Sequence, residues 1–287
     1  MNREVIRSRD NALFKSLIKL EASPRERHGA SRTLLDGEHL IQAYRDAGLG
    51  QIEVIAAGES ALEREALRTL FESAPAKRRA VLADKLLSRL SQVASSAGLL
   101  AVVFIPEGPP MPSAIGDALL LERIQDPGNL GSILRSAQAA GLREVFLSPG
   151  TALAWSPKTV RAGMGAHFRL HIHENADIEA VSRLATGRII ATGAHAGLNL
   201  YEADLRGPVT WLFGNEGAGL SRVAASAASQ MVAIPMPGQA ESLNVAASVA
   251  VCLFEQVRQR LETKRREAAL SRIRGARGGL PPRIVKG

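Results

Sequence analysis

Three short stretches hold most of the side chains whose types and spacing could do chemistry. The first reads Gln125, Asp126, Pro127, Gly128, Asn129, Leu130, Gly131, with Arg135 a little further on. Asn129 suits a helix N-cap, and capping by itself would account for it. Arg135 is harder to place, because a cation close to a helix N-terminus opposes the positive end of the macrodipole. A phosphate or carboxylate partner would resolve that conflict, and a solvent-facing arginine would need no partner. The second stretch, Gly214, Asn215, Glu216, Gly217, Ala218, Gly219, Leu220, carries glycines that let a backbone approach a ligand closely or take positive φ. Its pattern is GxxGxG and not GxGxxG, and it comes too late in the chain for the rest of a dinucleotide-binding domain to follow. The third runs from Pro235 through Ser242, Leu243 and Asn244 into an apolar helical pattern, and Ser242 and Asn244 both suit a helix start. Elsewhere, Ser156 and Pro157 mark a helix start ahead of Lys158 and Arg161, which read either as phosphate contacts or as an exposed basic face. His171 and His173 share one face of a strand pattern, but two histidines without a third ligand make a poor metal site, so no metal is expected.

The elements that must position these loops alternate in type. Strand patterns at Ala118–Ile124, Val145–Leu147, Arg169–His173, Arg188–Ala191, Val209–Phe213 and Gln230–Ile234 are separated mostly by helical ones, which predicts a covered parallel sheet. Each of the three loops then joins a strand's carboxyl end to a helix, at the edge where ligands gather in such sheets. Leu130, Leu134, Ala137 and Gly141 give the helix after the first loop one apolar face. Ahead of this, Ile52–Ala57, Arg79–Ala83 and Leu99–Ile105 alternate with helical patterns at Gly37–Ala47, Ser60–Glu72 and Asp84–Ser95, where Ser60 and Asp84 are placed as N-caps. The expected organisation is a small α/β domain over 1–105, a Pro-rich linker over 106–117, a second α/β domain over 118–261, and a basic, flexible tail over 262–287.

The chain has 287 residues, 46% hydrophobic and 22% charged, a mixture that excludes wholly disordered and collagen-like classes. Its apolar runs are too short for a spanning helix and its first residues lack a secretory pattern, so a cytoplasmic chain is expected. The lone Cys252 lies in the apolar pattern Val245–Val257 and is expected to be buried rather than reactive. From Arg258 to the end there are ten Lys and Arg against Glu262 and Glu267, which equals the whole net charge of +8. The first 33 residues are also basic, and this asymmetry points to a polyanionic partner, nucleic acid before membrane, or to a solubilising tail.

Taken together the three loops resemble those of the SpoU family of RNA ribose 2′-O-methyltransferases, within the knotted SPOUT class. The resemblance rests on Asp126–Gly131 with Arg135 and Ala137, on Gly214–Gly217 with Gly219, and on Ile234–Met236 with Ser242–Ala246; Ser156–Ala166 and the end of the last helix add to it. It implies a parallel-sheet domain with a C-terminal trefoil knot, preceded by a substrate-binding domain similar to an L30e-type fold. It also implies S-adenosylmethionine as cofactor, RNA as substrate, with ribosomal RNA favoured over transfer RNA, and a homodimer. Carried over to this sequence, the catalytic residues are Asn129, Arg135, Glu216, Ser242 and Asn244, the cofactor contacts Gly193, Gly214, Ile234, Leu243 and Asn244, and the RNA contacts Lys158 and Arg161. Glu216 would either anchor Arg135 or order the cofactor loop. The family often has Ser or Ala where Gly163 stands. The competing expectation is a non-enzymatic RNA-binding or ribosome-associated protein built on the same scaffold.

Overall fold

The computed structural model describes residues 4–91, 98–193, 196–238 and 240–277, with side chains described as far as Ser271. In the first part, β1 (Val5–Ile6), β2 (Arg32–Asp36), β3 (Ile52–Gly58), β4 (Ala76–Leu82) and β5 (Leu99–Phe104) form one sheet in the order β1-β4-β3-β5-β2. It is mixed, because β5 runs antiparallel to both β2 and β3. Helices α1 (Ala12–Ala22) and α2 (Pro24–Ala30) are followed by α3 (Glu38–Asp46), α4 (Glu65–Ser73) and the single turn α5 (Asp84–Leu87). Alternation along the strands feeds two cores. Leu34, Val54 and Val102 meet Phe14 and Leu17 of α1, while Leu35, Ile55 and Val103 meet Ile41, Tyr44 and Phe71 of α3 and α4 on the opposite face.

Neither N-cap expected here forms. Ser60 opens a 3₁₀ turn, and α4 begins only at Glu65, after Arg64. Asp84 is the first residue of α5 rather than its cap, because its carboxylate accepts instead from the Ser60 N–H at 3.3 Å. Positions 92–95 of the helix expected there lie outside the described residues.

In the second part, β6 (Ala118–Leu121), β7 (Glu144–Leu147), β8 (His171–Glu174), β9 (Arg188–Thr192), β10 (Leu198–Asn199), β11 (Val209–Phe213) and β12 (Gln230–Ala233) build a seven-stranded sheet. The order is β10-β12-β9-β11-β6-β7-β8 and every pairing is parallel. Its helices are α6 (Pro127–Ala139), α7 (Pro157–Gly163), α8 (Ile178–Leu184), α9 (Arg222–Ala227) and α10 (Val245–Arg277). Leu119, Leu121, Trp211 and Phe213 bury against Leu130 and Leu134 of α6 and Val249, Cys252 and Leu253 of α10. Ala118, Leu120 and Leu212 bury on the other face against Val181 of α8 and Ala224 of α9. Both faces are covered, which is why these strands read as continuous apolar runs. Burial pushes the Cys252 thiol up to about 12, so it stays protonated and unreactive.

Two segments differ from expectation. Ile115, at the end of the expected linker, is buried and bridges in parallel to Ala185, so this stretch is part of the second core. The expected break at 261 is not a break in the backbone, because α10 continues to Arg277; Glu262–Leu270 is rich in good helix formers and carries the helix outward. Tail residues 278–287 lie outside the described residues.

The base of α10 is tied to the sheet through Asp117. Its carboxylate accepts from Arg260 Nη1 at 2.6 Å and Nη2 at 2.8 Å, from the Val209 N–H at 3.0 Å and from Gln256 Nε2 at 3.1 Å. Gln256 in turn accepts from the buried Trp211 indole at 2.7 Å. Burial opposes ionisation of Asp117, but the Arg260 and Val209 bonds outweigh it and hold the carboxyl below the usual aspartate range. That contribution is present above the ordinary aspartate range and is lost as pH falls through the depressed value. Asp117→Ala is expected to cost about 2 kcal/mol in denaturant unfolding, less than a fully buried pair would because solvent screens a partly exposed site. An unfolding midpoint equal to that of the parent protein would show that α10 is held by apolar packing instead.

The two parts pack directly on each other. Thr33 Oγ1 donates to the Trp155 carbonyl at 2.7 Å, Arg161 lies 3.6 Å from Asp36, and Arg169 donates to the Asp46 carbonyl at 3.2 Å. Val160 and Phe168 complete the core beneath Tyr44.

Candidate active site

The three loops converge at the carboxyl edge of the parallel sheet, where β6 and β11 lie side by side and the chain's winding reverses. Pro127 occupies the first position of α6, so the cap is Asp126, whose carboxylate accepts from the Asn129 N–H at 2.8 Å. This corrects the expectation that Asn129 is the cap. Freed from that role, the Asn129 side chain joins the other two loops. Its Nδ2 donates to Glu216 Oε1 at 3.1 Å, and its Oδ1 accepts from Asn244 Nδ2 at 2.9 Å. Asn244 does cap α10, accepting from the Ala246 N–H at 2.9 Å.

Glu216 also accepts from the N–H groups of Gln125 at 3.1 Å and Asp126 at 3.2 Å. It therefore orders the loops and does not anchor Arg135. Burial works against its ionisation, but the Asn129 amide and the surrounding N–H groups prevail and hold its carboxyl below the usual glutamate range. The interlock is accordingly complete at neutral pH and weakens only as acid protonates Glu216. Asn215 completes the second loop by donating to the Arg123 carbonyl at 2.9 Å and accepting from the Gly217 and Ala218 N–H groups.

Beside this interlock lies a cleft of about 370 Å³ walled by Asn129, Gly214, Glu216, Leu220, Ser242, Leu243 and Asn244. A smaller recess of about 120 Å³ adjoins it through Thr192, Ser242, Leu243 and Ser248, and adds Gly193, Ile234 and Met236. All the cofactor residues expected from the sequence thus line two adjoining clefts. Gly214 allows the walls to meet: a Cβ there would stand 2.4 Å from the backbone of Gly219. Adjoining clefts with a backbone wall at Gly214, apolar side chains at Ile234 and Leu243 and polar ones at Ser242 and Asn244 fit a nucleoside with a short amino-acid arm, so S-adenosylmethionine suits the residues present.

Arg135 lines neither cleft. It is exposed on α6, about 9 Å of helix rise beyond Asn129, and has no hydrogen bond or ion pair among the described residues. It lies more than two turns into the helix, so the macrodipole conflict expected from the sequence is largely spent there. Lys158 Nζ stands 3.4 Å from Asp126, which brings one expected RNA contact to the first loop, whereas Arg161 turns to Asp36 of the first domain. Ser156 caps α7 as expected. A Cβ at Gly163 would press on the buried His167 ring at 2.6 Å, and burial lowers that imidazole to about 4, keeping it neutral. His171 and His173 both bond Glu144, at 2.7 and 2.9 Å, and no group of three metal-ligating side chains occurs among the described residues.

Sequence reasoning missed Glu122 and Arg123. Glu122 is buried and accepts from the Ser221 N–H at 2.8 Å, which fixes the far end of the second loop. Arg123 holds a left-handed backbone, φ 54°, at the end of β6, an uncommon state for a residue with a side chain and one that recurs at functional sites. Its position directly before the first loop was the available signal.

A doubly covered parallel sheet with three interlocked loops at its carboxyl edge defines an α/β ligand-binding domain with one composite site. Comparison with known proteins narrows this class to a family. The SpoU rRNA methylase family matches residues 118–254. The 23S rRNA (guanosine(2553)-2′-O)-methyltransferase RlmP of Bacillus subtilis is 30% identical over 252 residues, covering 87% of this chain and 97% of that one. A crystal structure of an RNA 2′-O ribose methyltransferase superposes with a TM-score of 0.77 at 32% identity, covering 90% of this chain and 100% of that one. AviRb from Streptomyces viridochromogenes, a SpoU methyltransferase solved in complex with AdoMet, gives a TM-score of 0.76 at 28% identity, over 88% of this chain and 98% of that one. The chain belongs to the SpoU rRNA methylase family.

Proposed function

We propose that this protein is an enzyme that transfers a methyl group from S-adenosylmethionine to a ribose 2′-hydroxyl of structured RNA, with ribosomal RNA favoured over transfer RNA. The observation that carries this reading is the interlock of Asn129, Glu216 and Asn244 beside a cleft whose walls are Gly214, Ser242 and Leu243. When bound, S-adenosylmethionine supplies an electrophilic methyl group. The chain's task is to place a hydroxyl in line with it and to manage the proton and charge. Arginine does not give up its proton in a protein, so Arg135 holds the substrate phosphate and stabilises the developing alkoxide, with the phosphate or water as final proton acceptor. Asn129 and Asn244 orient the ribose, Ser242 stands beside them, and Glu216 keeps the loops in register. Gly193, Gly214, Ile234 and Leu243 contact the cofactor, and Lys158 and Arg161 the RNA. The same reading takes the second and third loops as the crossings of a trefoil knot, supported by their walling one cleft together.

Titration with S-adenosylmethionine, followed by mapping of ribose methylation in total RNA from cells with and without the protein, tests the proposal. Saturable binding and one lost methylation site are expected. No binding would favour a non-enzymatic RNA-binding protein instead.

The reading extends to a cytoplasmic homodimer. Among the described residues no helix is long and apolar enough to cross a membrane. Helix α10 leaves Phe254, Leu261 and Leu270 exposed, a surplus of apolar surface that pairing would cover. Sedimentation is expected to give twice the chain mass of 30.5 kDa, and the single-chain mass at micromolar concentration would refute the dimer. Deleting Lys264–Gly287 is expected to weaken RNA binding and flatten its salt dependence, by about 0.7 in log–log slope for each phosphate that the tail no longer neutralises. An unchanged slope would make the tail a solubiliser.

A further inference from the structure

A further cleft, of about 550 Å³, opens between the two domains, and its lining, which includes His28, Phe104, Leu153, Trp155, Ser156 and Glu174, shares no residue with the three loops. Three observations distinguish it from an incidental gap. First, it is walled by large apolar side chains that remain open to solvent: Phe104 is 41% and Leu153 47% exposed. Secondly, two cations flank the Phe104 ring, Arg32 Cζ at 5.4 Å and Lys77 Nζ at 5.7 Å from its centroid, of which Arg32 is also paired with Glu53 at 2.8 Å. Thirdly, it lies on the same edge of the parallel sheet as the methyl-donor cleft. Leu153, Trp155 and Ser156 belong to the loop that follows β7, and Glu174 ends β8, two strand spacings or about 10 Å from β6.

Aromatic and apolar walls, the Glu174 carboxylate among them, and cations beside Phe104 match one ligand chemistry. An unstacked nucleobase offers two apolar faces, a polar edge and an adjoining phosphate, and proteins that hold single-stranded RNA meet it with these groups. We infer that the interdomain cleft lined by Phe104, Leu153 and Trp155 receives an unstacked base of the substrate RNA, near the nucleotide whose ribose is methylated. This rests on the reading of RNA as substrate. It adds a site for sequence selection that the three loops do not contain. The cleft is formed from both domains, so recognition depends on their packing. Trp155 is itself fixed there, its carbonyl accepting from Thr33 and its ring lying 5.3 Å from that of His167.

The test uses the full chain and two variants at exposed positions, Phe104→Ala and Leu153→Asp. Each is measured against a short, mixed-sequence single-stranded oligoribonucleotide, against a blunt duplex of the same sequence, and against S-adenosylmethionine. Each variant is expected to lose about fivefold or more in affinity for the single strand, the usual worth of one stacked base. Affinities for the duplex and for S-adenosylmethionine should stay within about twofold. In the parent protein the single strand should also quench tryptophan fluorescence, because Trp155 is half-buried at the cleft whereas Trp211 is sealed in the core. Unchanged single-strand affinity in both variants would overturn the inference. Equal losses on single strand and duplex would overturn it too, by reducing the cleft to part of a phosphate-tracking surface. Failure to bind S-adenosylmethionine would instead count against the enzyme reading and leave the base-binding result to stand on its own measurement.

Discussion

Arg135→Ala is expected to lower the methyl-transfer rate by about a thousandfold, roughly 4 kcal/mol of transition-state stabilisation, while folding and S-adenosylmethionine binding stay intact. Arg135 is exposed on α6, contributes nothing to the core, and has no partner among the described residues, so its removal leaves no group unpaired. On the proposed reading, what is lost is the permanent, planar, fork-shaped cation that holds the substrate phosphate while negative charge develops on the ribose oxygen. Arg135→Lys should recover only part of the rate, because the ammonium keeps the charge and loses the bidentate geometry. Single-turnover kinetics with saturating cofactor would measure both variants. A rate within a few fold of the parent for the alanine variant would remove Arg135 from the chemistry.

Gly214→Val acts on the other half of the reaction. The Cβ it introduces would stand 2.4 Å from the carbonyl carbon and oxygen of Gly219 and 2.6 Å from the Leu220 nitrogen, all of them backbone atoms. Backbone cannot swing aside as a flexible side chain can, so the second loop must open and its wall of the cleft must move. Affinity for S-adenosylmethionine is expected to fall by about a hundredfold, or about 2.8 kcal/mol, in a calorimetric titration. The sheet beneath, which buries Trp211 and Phe213, should survive, and near-parental cooperativity of unfolding would confirm that the damage is local. Unchanged cofactor affinity would place the methyl donor elsewhere.

Much of the second domain was legible because its strands obey a simple rule. Val209–Phe213 is apolar but for Thr210 and buried throughout, since both faces of the sheet are covered, and its bounds match expectation at both ends. The convergence of the three loops followed from strand–helix order, which puts every such loop at one edge. The roles of Asp126 and Asn129 were harder to read, because both residue types cap helices well. The available signal was Pro127, which favours the first helical position and so assigns the cap to Asp126. Strand β2 escaped notice because Arg32–Asp36 shows only three apolar or β-branched residues between charges, and its place is fixed by pairing with β5. The glycines and prolines near the end of the chain mask the length of α10, although Glu262–Leu270 contains none. The contacts of Glu216 lie about ninety residues apart in the chain, and no local pattern encodes them.

The packing of the two domains has a consequence for how a target is chosen. Thr33, Asp36 and Asp46 of the first domain all bind the segment from Trp155 to Arg169, which also carries α7 against α6 and hence against Asn129 and Arg135. On the proposed reading, a grip that the first domain exerts on RNA would be held at a set span from the reacting methyl group, as the fixed jaw of a calliper is held from its scale. Selection would then be a measurement of length along the folded RNA. Substitutions that leave every catalytic side chain untouched but loosen Thr33 or Asp36 would blur that scale, so that neighbouring riboses receive methyl groups the parent protein never places there.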